Sequence, residues 1–134
     1  MSTRARSVAY AVAVDDAWEA RSERGGEAIP ADEEHWAPEH LVLAGLARCS
    51  LTSLRYHCRR AGVELSSRAS VRGTVTRRGD DGRFAFVEIA VEADVAFEPK
   101  PDDETVAGLL MKGERDCFVG ASLTAQPTYD WRVA

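Results

Sequence analysis

The chain has 134 residues, 45% of them apolar and 29% charged, a balance that suits one soluble domain over residues 1–134 with a core of its own. Its net charge of −5 and scattered arginines exclude the clustered basic surface that nucleic acid requires. No stretch approaches the ~18–20 apolar residues of a membrane span, and the polar start is not followed by the ~7–15-residue apolar core of a signal peptide. A cytoplasmic protein without nucleic-acid or membrane partners is therefore expected.

Ser7 to Val14 alternates, with Val8, Tyr10, Val12 and Val14 on one face, and predicts a strand. Asp15-Asp16 turns the chain into a second short strand over about 18–24, which Gly25-Gly26 breaks. Residues 28–37 are polar and irregular and read as a loop. Pro38 and Glu39 then suit the first turn of a helix, where a missing N–H costs nothing and a carboxylate favours the positive helix end. Leu43, Leu46, Ala47, Ser50, Leu54 and Cys58 follow at spacings of three and four, an apolar stripe that runs until Gly62. Leu41, Val42 and Leu51 widen the apolar surface beyond one stripe, which hints at a dimer.

A hairpin comes next. Ser67 to Arg77 alternates, Asp81-Gly82 is a turn signal, and Ala85, Val87, Ile89, Val91, Ala93, Val95 and Phe97 place a return strand with one apolar face. Asp102 or Asp103 can cap a second helix reaching about Arg115. A short helical turn after Cys117 and a last strand from about Gln126 to Val133 complete the chain. Strands and helices do not alternate as parallel units would, so the expected class is α+β, with antiparallel sheets, a long central helix and a second helix.

The three cysteines carry the chemistry. In a cytosolic setting an odd number of thiols is not a disulfide framework, and those that pair tend to be catalytic or redox-sensing. Cys49 lies mid-helix. Cys58, nine residues on, falls on roughly the opposite side of that helix at ~100° per residue, so the two cannot bridge. Cys117, at the end of the second helix, can approach Cys49 within the ~4.4–6.8 Å Cα separation of a disulfide if the helices pack. Peroxide chemistry needs such a pair, one thiol to become a sulfenic acid and another to condense with it before overoxidation.

The segment Ala37-Pro-Glu-His-Leu-Val-Leu-Ala-Gly-Leu-Ala-Arg-Cys49 resembles the helix signature of the OsmC/Ohr family, in which Pro-Glu leads through small residues to a reactive cysteine. Glu-Arg-Asp-Cys117-Phe-Val-Gly-Ala-Ser-Leu is similar to the family's second signature, and the element order and roughly 70-residue cysteine separation also agree. The resemblance implies an OsmC-like fold in an intertwined homodimer with interfacial active sites. It implies a thiol peroxidase of oxidative-stress defence that reduces organic hydroperoxides, with Cys49 peroxidatic and Cys117 resolving. A dithiol reductant of the lipoyl type would recycle the disulfide, and no cofactor or metal is called for. The family's Pro-Glu glutamate, here Glu39, holds an arginine that stabilises the thiolate; a guanidinium stays charged, and a carboxylate fixes its direction.

In Ohr-type relatives that arginine comes from a glycine-rich turn of the first hairpin. Here Asp15-Asp16-Ala17-Trp18-Glu19-Ala20-Arg21 occupies the region, and Arg21 is the expected donor, with Arg24 the alternative. This departure places the chain in a divergent OsmC-like subgroup. Glu39 and Cys49 are ten residues apart, ~15 Å along one straight helix, so a functional Glu39 implies a site shared between subunits. Leu43, Leu46, Val42 and Phe118 are expected to line a pocket favouring alkyl tails.

Simpler readings stand beside these. A buried cysteine is often only a small hydrophobe, and Cys58 is read that way. Glu39 can serve solely as a first-turn carboxylate, and His35 and His40 as solvated or capping side chains. His57 beside Cys58 makes a poor chelate because adjacent helical residues diverge. The alternative function is a non-catalytic dimeric module of the same fold that binds a small apolar ligand; the peroxidase predicts a depressed thiol pKa at Cys49. Thiol-based acyl or sulfur transfer would need an oxyanion site that the sequence does not reveal.

Overall fold

The computed structural model describes residues 6–30, 32 and 34–134. The polar start over residues 1–5, and residues 31 and 33 of the expected loop, lie outside that description. The chain divides into two compact units, Met1–Leu41 and Val42–Ala134.

The first unit is a small antiparallel sheet in the order β1 (Val12–Val14), β2 (Glu19–Ser22), β3 (Ile29–Pro30). Only the end of the predicted 7–14 strand is regular, because pairing with β2 is confined to Val12, Ala13 and Val14. The turn between β1 and β2 is built on Asp15, whose Oδ1 accepts from the backbone N–H of Ala17 and of Glu19, each at 3.0 Å. Trp18 adopts φ 60° there, a left-handed conformation that is rare for a bulky side chain. β3 falls inside the predicted loop. Two residues, one of them proline, leave no alternation to read.

Most of α1 (Pro38–Arg60) belongs to the second unit, and the helix keeps the predicted boundaries. Of the expected stripe, Leu46, Ser50, Leu54 and Cys58 are buried, and Ser53 joins them. The chain turns at Gly62, φ 72°, into a long hairpin of β4 (Glu64–Arg77) and β5 (Phe84–Glu98). Its turn uses Gly82 at φ 69°, as the Asp-Gly signal requires.

The predicted face of β5 is interrupted once. A bulge shifts the register from Thr74↔Glu88 to Val75↔Phe86, leaving Val87 as the additional residue on β5. Ile89, Val91, Ala93, Val95 and Phe97 are buried as expected, but Val87 is 43% exposed and Phe86 packs against the core in its place. An extra residue reverses which side chains face inward, and nothing in a regular alternation announces it.

After β5 come α2 (Asp103–Arg115), the single-turn α3 (Phe118–Ala121) and β6 (Thr128–Val133). Asp102 caps α2 by accepting from Thr105 N–H at 2.8 Å. The sheet order is β4-β5-β6. The class is α+β as expected, but β6 runs parallel to β5, so this sheet is mixed. The two helices between them supply the long crossover that a parallel return needs and a hairpin does not.

The helices cover the face carrying the odd-numbered β5 residues. One core cluster joins Leu54 and Cys58 of α1 with Ala93, Val95 and Phe97 of β5 and Val106 and Leu109 of α2. A second joins Leu46, Ile89, Val91 and Cys117. The opposite face is ionic: Arg68 pairs with Asp94 at 3.0 Å, Arg72 with Glu92 at 3.2 Å, and Arg132 with Asp94 at 2.9 Å. Such exposed pairs fit a solvated surface and add little stability each.

Candidate active site

Helical spacing puts Leu46 and Ser50 one turn apart on the buried face of α1, and Cys49 beside them at its margin. Cys49 is partly exposed, whereas Cys117 is fully buried, and both thiols are free. Cys49 packs against the cluster that contains Cys117.

Cys117 stands where the chain leaves α2 and enters α3. It is the N-cap of α3, and its Sγ accepts from the backbone N–H of Gly120 at 3.4 Å. Its neighbour Asp116, the C-cap of α2, is tied to α1 by His57 Nε2 at 2.7 Å and to Arg115 Nε at 2.9 Å. α2 comes close to α1 at Gly113, where a Cβ would stand 3.2 Å from Leu54 Cβ and 3.3 Å from Leu54 Cα. The junction that carries Cys117 is therefore fastened to the helix that carries Cys49.

Two further members of the site, Ser50 and Tyr129, are not evident from the sequence. The Ser50 hydroxyl is fully buried and lies 2.9 Å from Tyr129 Oη and 3.6 Å from Cys117 Sγ. Ser50 entered the predicted stripe as a small residue, and Tyr129 as one residue of a strand. A serine amid leucines on a buried helical face is the signal available, since a buried hydroxyl needs a partner.

Burial, first, pushes the Cys49 thiol pKa up, and the neighbouring Cys117 thiol adds to the rise; the backbone N–H groups of Val119 and Phe118 oppose it. The leading influences on this thiol include no arginine, so the depressed pKa that the peroxidase reading predicts is not present in the chain as it stands. Burial likewise pushes the Tyr129 phenol up to about 12, which keeps it protonated. Arg21 is engaged within its own hairpin, with Glu19 at 2.7 Å and Asp15 at 3.3 Å. Arg24 lies over the Tyr10 ring, 5.4 Å from its centroid. Glu39 is exposed in the first turn of α1. His40 accepts from Ala37 N–H through Nδ1 at 2.9 Å, a capping role.

Of the expected pocket residues, Leu46 is fully buried and Leu43 partly so, both in the cluster with the thiols. Val42 and Phe118 are exposed, at 37% and 65%. Cys58 lies in the other cluster, among Leu54, Val63 and Val95, where burial pushes its pKa up.

The sequence model of the OsmC-like proteins matches residues 31–132, which take in both thiols and most of the chain. The chain belongs to the OsmC-like protein family. Solved structures of the family share its fold at low identity. An OsmC-like protein of unknown function from Vibrio cholerae superposes with a TM-score of 0.76 at 12% identity, over 93% of this chain and 99% of that one. The OsmC-like protein from Mycoplasma pneumoniae gives 0.69 at 15%, covering 96% of each. The organic hydroperoxide resistance protein of Bacillus subtilis gives 0.58 at 18%, covering 96% of this chain and 98% of that one. No curated protein matches the chain. Among the described residues, no helix of this OsmC-like chain is long and apolar enough to cross a membrane.

Proposed function

We propose that this OsmC-like protein is a thiol peroxidase that reduces organic hydroperoxides through Cys49 and Cys117. The observation that carries the reading is the pairing of a partly exposed thiol on α1 with a fully buried one at the start of α3. Exposure suits Cys49 to meet an oxidant, and burial reserves Cys117 for what Cys49 becomes.

The Cys49 sulfur attacks the terminal oxygen of R–O–O–H, the O–O bond breaks, and the alkoxide takes a proton and leaves as alcohol. Cys49 is then a sulfenic acid. Cys117 sulfur displaces its hydroxyl as water and forms the disulfide, and an external dithiol, of lipoyl type in this reading, restores both thiols. Leu43 and Leu46 offer apolar contact for an alkyl tail.

A raised pKa at Cys49 means that a cation must be delivered for thiolate to form readily near neutrality. Arg21, directed by Glu39 in a homodimer that shares its sites, is assigned that role. The dimer rests on the family and on the ten-residue spacing of Glu39 and Cys49. The raised thiol pKa also favours the second reading, a module that keeps the fold, binds a small apolar ligand and does not turn over.

Turnover of cumene hydroperoxide with a dihydrolipoyl reductant separates the two. The peroxidase predicts consumption that Cys49→Ser abolishes and that Arg21→Ala slows by at least about tenfold, the effect of losing one charge-assisted contact. Consumption that survives Cys49→Ser contradicts it, and a wild-type chain without turnover favours the binding module.

A further inference from the structure

A hydrogen-bond chain runs from Tyr129 Oη through Ser50 Oγ to Cys117 Sγ, with separations of 2.9 and 3.6 Å. It joins three separate elements, β6, α1 and the α2–α3 junction, against a cluster whose buried members besides Cys117 are Leu46, Ile89 and Val91. Ser50 and Cys117 are both fully buried, so no bulk water reaches the sulfur as it changes charge.

We propose that Ser50 and Tyr129 form a hydroxyl relay that serves the resolving step, turning their O–H groups toward Cys117 Sγ as it attacks the oxidised Cys49. The inference rests on the peroxidase reading, with Cys49 as the thiol that meets peroxide.

The geometry supplies both settings of the relay. In the resting thiol, Sγ accepts from Gly120 N–H at 3.4 Å, and its proton is free to point at Ser50 Oγ, 3.6 Å away; the Ser50 proton then points at Tyr129 Oη, at 2.9 Å. A hydroxyl donates or accepts by rotation alone. When Cys117 begins to lose its proton, rotation of two hydroxyls reverses the chain, so that Tyr129 donates to Ser50 and Ser50 donates to the developing thiolate. The Tyr129 phenol, with its pKa pushed up to about 12, keeps its proton in both settings and can therefore switch from acceptor to donor.

The step balances. The Cys117 sulfur bonds to the Cys49 sulfur, the Cys49 S–O bond breaks, and the departing hydroxide takes the proton that Cys117 gives up and leaves as water. Cys117 is oxidised and Cys49 is reduced, each ending at the disulfide level. Without the relay, negative charge would develop on a buried sulfur with one backbone N–H to meet it, a costly arrangement. Ser50 touches a reacting atom; Tyr129 acts through Ser50 as a positioning residue.

Single-turnover mixing of the full-length reduced chain with cumene hydroperoxide tests this, following peroxide loss and, by quenched mass spectrometry, the Cys49–Cys117 disulfide. In Ser50→Ala and Tyr129→Phe, disulfide formation slows relative to peroxide loss by at least about tenfold, as expected for a lost hydrogen bond to a charged group. Dimedone then captures Cys49 sulfenic acid that wild type does not accumulate. Ser50→Thr, which keeps the hydroxyl, restores the second step more fully than Ser50→Ala, an outcome that a purely packing role would not give. Disulfide formation at the wild-type rate in both variants, or an equal loss in both steps, overturns the relay alone. A wild-type chain that consumes peroxide without the Cys49–Cys117 bond overturns it too, and one that consumes none overturns the peroxidase reading with it.

Discussion

Asp116 shows how one side chain places a cysteine. It flanks Cys117, ends α2, and bridges to His57 on α1 at 2.7 Å. Arg115 first, and His57 after it, hold its carboxyl down at about 2. The unfolded chain therefore takes up this proton at higher pH than the folded one, and the contacts stabilise the fold above about pH 4 and fade as the pH falls toward about 2. Asp116→Asn is expected to melt below wild type at pH 7, with the gap closing over that window. A gap of constant size across the titration would mean that the charge is not what holds the junction. The residues that do chemistry were legible to different degrees for a physical reason. Cys49 and Cys117 stand out in sequence because thiols are few and their spacing informs. Ser50 and Tyr129 do not, because a hydroxyl's importance depends on what it meets across 79 residues of chain.

At the scale of elements, α2 is set against α1 by the absence of a side chain at Gly113. An added Cβ would press on Leu54 Cβ and Cα at 3.2 and 3.3 Å, and backbone cannot give way as a flexible side-chain end can. Gly113→Ala should lose about 1–3 kcal/mol in urea unfolding, the usual cost of overpacking. Gly108→Ala, on the same helix with nothing within 4 Å of the added carbon, should instead gain about 0.5–1 kcal/mol from helix propensity. Equal effects at the two sites would contradict this packing. Helix boundaries and the long hairpin were readable because proline, glycine and capping residues act locally. The bulge at Thr74/Val75, the two-residue β3 and the parallel return of β6 were not: the bulge sits inside an unbroken alternation, β3 is too short to show a period, and β6 pairs with a strand distant in sequence.

Over the whole molecule, the second unit divides its interior between two clusters, and the three cysteines divide with it. Cys58 belongs with α2 and the far end of β5, and Cys49 and Cys117 with Leu46, Ile89 and Val91. With this partition, a Cys49–Cys117 peroxidase is distinguished by which sulfurs react. The reduced protein, mixed with stoichiometric cumene hydroperoxide and mapped by intact and peptide mass spectrometry, shows this most directly. Rapid loss of two hydrogens, a Cys49–Cys117 peptide linkage and an unmodified Cys58 are expected. Thiols that stay unchanged, or slow oxidation spread over all three cysteines, would contradict the peroxidase reading.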